Sequence, residues 1–140
     1  MNSRAFTVDA AVALHVRPGV LAVDDVQVVA HDPRLDQALA ASEPPLREAR
    51  DLDEFIGAVR GMYRRFGLDP TKTRPSSEAL LRRLRKGGTL PRVNSAVDVC
   101  NWCSAETQLP FGLYDGGRLE GDVVLRVGRE GEAYDGIRKD

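Results

Sequence analysis

Two groups of residues in this chain have types and spacings that could do chemistry. The first is Cys100-Asn101-Trp102-Cys103, which has the C-x-x-C spacing of a thiol redox pair. Such a pair works when one thiol sits at a helix N-terminus, where the dipole favours the thiolate. Here the motif falls well inside a segment that reads as helix. Structural thiols are therefore the first expectation, and a thiol redox protein is kept as an alternative. Cysteines this close do not make a loop-closing disulfide staple. His15 and His31 lie far upstream on unrelated segments, so no zinc site is expected and no metal or cofactor is assigned.

The second group is basic. Residues 60–92 hold Arg60, Arg64, Arg65, Lys72, Arg74, Arg82, Arg83, Arg85, Lys86 and Arg92 against Asp69 and Glu78, a local balance of +8 in a chain of net charge −1. Phosphate-backbone binding needs such a concentration, because each neutralised phosphate releases counterions. A solvated helix face would explain the same charge. The bases are not interleaved with aromatics, so single-strand stacking is not indicated. Other patterns fail: Lys86-Gly87-Gly88-Thr89 has the wrong order for a phosphate loop, and Gly116, Gly117 and Gly121 read as turn glycines. Spacing nominates no Ser–His–Asp set.

The elements that would position these residues follow from periodicity. Phe6–Val8, Ala13–Val16, Val20–Val23 and Val26–Val29 read as short strands. Residues 35–50 read as helix, broken into two pieces by Pro44-Pro45. Residues 52–66 carry Leu52, Phe55, Ile56, Val59, Met62, Tyr63 and Phe66 at helical spacing. Asp51 and Glu54 suggest a capping box, Gly67 a stop, and a sheet is the expected partner of that apolar stripe. A second helix starts at Ser76 or Ser77, with Glu78 in its first turn and Leu80, Leu81 and Leu84 on its apolar face, and ends at Gly87-Gly88. Asn94 or Ser95 caps a third through about Thr107. Phe111–Tyr114, Leu119 and Val123–Val127 then read as a β-meander, and the C-terminal Ile137-Arg138-Lys139-Asp140 leaves a sheet edge open.

With 140 residues, 42% hydrophobic and 29% charged, the chain is expected to form one globular domain. No stretch approaches the roughly 18 apolar residues of a membrane span. Met1-Asn2-Ser3-Arg4 does not lead into a signal-peptide core, which points to the cytoplasm.

Three ordered runs carry a family resemblance: Tyr63–Arg83 (YRRFGLDPTKTRPSSEALLRR), Gly88–Asn101 (GTLPRVNSAVDVCN) and Leu109–Asp115 (LPFGLYD). Together they resemble the B-three/B-four domain, the tRNA-editing domain of the bacterial phenylalanyl-tRNA synthetase beta subunit, and especially its free-standing homologues. The match is specific over residues 60–136 and vague over 5–30. The resemblance implies an α+β fold, a three-layer β/β/α domain with mainly antiparallel sheets, of which this chain would represent the N-terminal two-thirds. It also implies a trans-editing deacylase that hydrolyses the ester of a mischarged tRNA, a reaction that needs a positioned water and oxyanion donors more than a strong nucleophile.

Site residues carry over in part. The synthetase pattern Val-Asp-Val-Thr-Asn corresponds to Val97-Asp98-Val99-Cys100-Asn101. The resemblance thus places Asn101 in the editing pocket and Cys100 where the synthetases have a pocket threonine. Asn94 and Gly112 are further pocket positions, Gly112 standing where the synthetases have a histidine. Arg64, Arg65, Lys72, Arg74, Arg82, Arg83, Arg85, Lys86 and Arg92 are the expected tRNA contacts. The family's Gly-rich loop and pocket glutamate have no counterpart here. A non-catalytic tRNA- or protein-binding module on the same scaffold is the alternative.

Overall fold

The computed structural model describes residues 4–133. The chain divides into two compact units, Met1–Val20 with Glu120–Asp140, and Leu21–Leu119.

In the first unit β1 (Phe6–Val8) pairs in parallel with β2 (Val123–Leu125), Phe6 opposite Val123 and Val8 opposite Leu125. The pair is extended at both ends, where Val123 N–H donates to the Ala5 carbonyl and Asp9 N–H to that of Leu125, both at 2.9 Å. Directly after β1 comes a short helix, α1 (Ala10–Ala13). Asp9 caps it, its carboxylate accepting from Ala11 N–H at 2.9 Å, and Val12 is buried. This cap, followed by good helix formers, turns the start of the expected Ala13–Val16 strand into helix. After β2, Arg126 grips Glu132 with two bonds of 2.8 and 2.6 Å, and Arg129 N–H adds a third at 2.6 Å.

The second unit is helical: α2 (Pro33–Glu48), α3 (Leu52–Arg65), α4 (Ser76–Arg85) and α5 (Ser95–Thr107). Asp32 caps α2, accepting from Arg34 N–H, with Pro33 preset at the first helical position. The helix is continuous through Pro44 and Pro45, not split as expected. Those prolines withdraw the donors that would reach the Ala40 and Ala41 carbonyls. All four residues are exposed, so water can satisfy what is lost.

Helix α3 has the expected length but not the expected cap. Asp51 already has helical backbone angles, φ −59 and ψ −24, and makes no side-chain cap bond. Gly67, at φ +72, supplies the stop. Asn94 caps α5 by accepting from Val97 N–H at 3.0 Å. The core joins Leu39 and Leu46 of α2, Leu52 of α3, Leu80, Leu81 and Leu84 of α4, Leu90, and Ala105 of α5, with Ile56 and Trp102 against it. Gln108 closes α5 in the left-handed region at φ +54, fully buried, its amide donating to the Ala105 carbonyl at 2.6 Å.

The expected three-layer β/β/α domain with mainly antiparallel sheets is overturned. Among the described residues the chain is mostly helix, with two three-residue strands that run parallel. Leu52 and Ile56 of α3 accordingly meet the helical core, not a sheet. Val20, Leu21, Val26 and Val28 have strand-forming types but are exposed and irregular, as are Phe111, Leu113 and Tyr114. Strand propensity is mostly fit to a half-buried pleated surface, and these runs meet none. Ile137–Asp140 lie outside the described residues.

Candidate functional site

The ten bases of residues 60–92 do different jobs. Arg60 donates to both oxygens of Glu78 at 2.7 and 2.6 Å, joining α3 to α4, and Arg74 approaches the same carboxylate at 3.5 Å. Glu78 is buried, and the Arg60 hydrogen bond holds its carboxyl below the ordinary value against the opposing effect of burial. Arg85 reaches Asp53 of α3 at 2.7 Å and the Ala49 carbonyl at 2.6 Å. Arg83 donates to the Thr89 carbonyl at 2.6 Å. Arg92 pairs with Asp36 at 2.9 Å and lies 3.8 Å from Asp98. These five arginines hold the helices and the turn together.

Arg64, Arg65, Lys72, Arg82 and Lys86 are exposed, and none makes an ion pair among the described residues. They are the cations a phosphate backbone can reach without dismantling the fold. Local spacing offered no means of separating the two sets. Arg74 and Glu78 are four apart and legible as a helical pair, but Arg60 and Glu78 are eighteen apart. The structural importance of Glu78 was missed in the sequence for that reason.

Helix α5 carries the other candidates. Asn101 and Cys100 are half-buried there, one residue apart. The Asn101 amide makes no hydrogen bond among the described residues. The Cys100 thiol is pushed above its ordinary value, first by burial and then by Cys103 beside it. Both cysteines are free thiols. A thiol held protonated is a poor nucleophile and a poor redox partner, which speaks for a lining role.

Asn94 has its side-chain oxygen engaged by the α5 cap. Gly112 lies against Tyr114, whose ring would stand 2.9 Å from a Cβ added there. A larger residue at 112 would have to swing that ring away, and Tyr114 is exposed enough to allow it. The described cleft of the helical unit, about 330 Å³, lies between α3 and α4, with Ile56, Arg60, Glu78 and Arg82 among its walls. It is not beside Asn101. Among the described residues there is no cluster of three His, Cys, Asp or Glu that could hold a metal, and no helix is long and apolar enough to cross a membrane.

A helical unit with a basic surface and a half-buried asparagine on α5 therefore defines the candidate region. The chain belongs to the B3/4 domain family, whose model matches residues 58–140. Over 61 residues it is 35% identical to the phenylalanine-tRNA ligase beta subunit of Nitrobacter winogradskyi. That stretch is 44% of this chain and 7% of that protein, so the chain spans a small part of its relative. No solved structure matches the chain.

Proposed function

We propose that this chain acts on tRNA as a trans-editing deacylase, hydrolysing the ester that joins a wrong amino acid to its tRNA. Membership of the B3/4 family supports the tRNA, and a relative named as a tRNA ligase subunit supports it further. The reading rests on Asn101, which the family resemblance assigns to the pocket and which is half-buried on α5 with no hydrogen-bond partner among the described residues.

The roles follow from the chemistry. An aminoacyl ester is already activated, so the protein must orient the ester and a water and stabilise charge on the carbonyl oxygen. The Asn101 amide can donate to that carbonyl or hold the water. Cys100, protonated, lines the site without attacking. Arg64, Arg65, Lys72, Arg82 and Lys86 hold the tRNA through its phosphates, and the work belongs in the cytoplasm, where tRNAs are charged. Gly112, lacking a hydrogen-bonding side chain, favours an amino acid other than the one a histidine-bearing pocket would select.

The test is a deacylation screen over a panel of correctly and wrongly charged tRNAs. One mischarged species should lose its amino acid faster with the protein than without it, while correctly charged species persist. Specific tRNA binding with no deacylation of any species would instead establish the non-catalytic binding module.

A further inference from the structure

The geometry points to the cleft between α3 and α4 as the seat of a nucleic-acid phosphodiester, an inference that rests on the tRNA reading above. Five charged residues line the cleft: Asp53, Arg60, Glu78, Arg82 and Arg85. Both acids already have cationic partners, Glu78 in Arg60 and Asp53 in Arg85. Arg82 is exposed and makes no ion pair within 4 Å among the described residues, while its charge helps hold the Glu78 carboxyl low. The Nε donor of Arg85 is buried and has no acceptor among the described residues. An entering anion thus meets the exposed Arg82 guanidinium, while the negative charges beside it are already paired with Arg60 and Arg85. A guanidinium fork suits the paired oxygens of a phosphate.

Size and surroundings favour a polymer over a small carboxylate. At about 330 Å³ the cleft has room for a phosphate and its adjoining sugar, with the half-buried Ile56 offering an apolar wall to the sugar. Exposed cations continue beyond it on the same two helices, Arg64 and Arg65 ending α3 and Lys86 following α4. A polyanion can use those additional cations, and a lone anion cannot.

Arginine Nε–Hε signals of the isotope-labelled chain, followed while tRNA and separately inorganic phosphate are added, test the assignment. The Arg82 and Arg85 signals should shift saturably with tRNA. Arg82→Gln should weaken tRNA binding by about tenfold and lower the slope of log affinity against log salt by about 1. Arg82→Lys should restore the slope while leaving affinity below wild type, because it keeps the charge and loses the fork. Arg82 is exposed, so unchanged melting of both variants is expected and excludes misfolding as the cause. If Arg82→Gln binds tRNA with wild-type affinity and slope, the cleft assignment is overturned and the tRNA reading stands. If tRNA binds the wild-type chain at no salt concentration, the tRNA reading falls and takes this assignment with it, even where phosphate alone shifts Arg82.

Discussion

Glu78→Gln should destabilise the helical unit by an amount that can be worked from its bonds. The Glu78 side chain is 9% exposed and receives bonds of 2.7 and 2.6 Å from Arg60. Glutamine keeps the shape and can accept from one guanidinium N–H, but it sets its own NH₂ against the other. Removing one partner of a fully buried pair costs about 3–5 kcal/mol. Arg60 remains 30% exposed, so water can take over part of its solvation, and one bond survives. The expected loss is therefore about 2 kcal/mol, the scale of one hydrogen bond to a charged group. The pH dependence has a definite sign. The Glu78 carboxyl is held below its ordinary value of 4.5, so its contribution is fully present above that pH and is lost as pH falls through the lowered folded value. Urea unfolding near neutral pH and near about pH 3 reads both effects, and wild type should lose more stability between them than the variant. A variant within about 0.5 kcal/mol of wild type at neutral pH, or one with the same acid dependence, would refute the reasoning.

Two further outcomes are expected. Cys100 should react slowly with a thiol reagent at neutral pH and faster only as pH rises past the ordinary thiol value of 9.0, since burial raises its thiol; fast labelling at neutral pH would return the redox reading. Glu132, hydrogen-bonded by Arg126 and by Arg129 N–H, is lowered to about 2, so its turn is supported above the ordinary 4.5 and loses that support as pH falls through about 2. Carboxyl NMR should find that low midpoint, and Arg126→Gln should raise it; an ordinary midpoint in wild type would show the grip is absent in solution.

The helices of residues 52–107 were legible because their signals are local. The stripe over 52–66, the leucines at 80, 81 and 84, the Asn94 cap and the glycine stops at 67 and 87 each act within a turn or two. The sheets were misread because a strand needs a partner, and partnership is not local. Val123–Leu125 finds β1, while Val26–Val29 and Phe111–Tyr114, of similar composition, do not. Asp51 shows the same limit in miniature: the right residue types stand at capping-box spacing, but the backbone there is already helical. In the candidate site, the excess of positive charge was visible in composition. Its division into arginines that hold Glu78, Asp53 and Asp36 and cations that face solvent depended on helix packing, which spacing does not encode.

The role given to Asn101 is the central claim, and comparing Asn101→Ala with wild type on the tRNA species that the chain deacylates tests it most directly. Losing one donor at a developing oxyanion typically lowers the rate on the order of 100-fold or more. The variant should show that loss in deacylation while its tRNA affinity, set by distant phosphate contacts, stays near wild type. A wild-type rate in the variant would make Asn101 part of the scaffold and contradict the account.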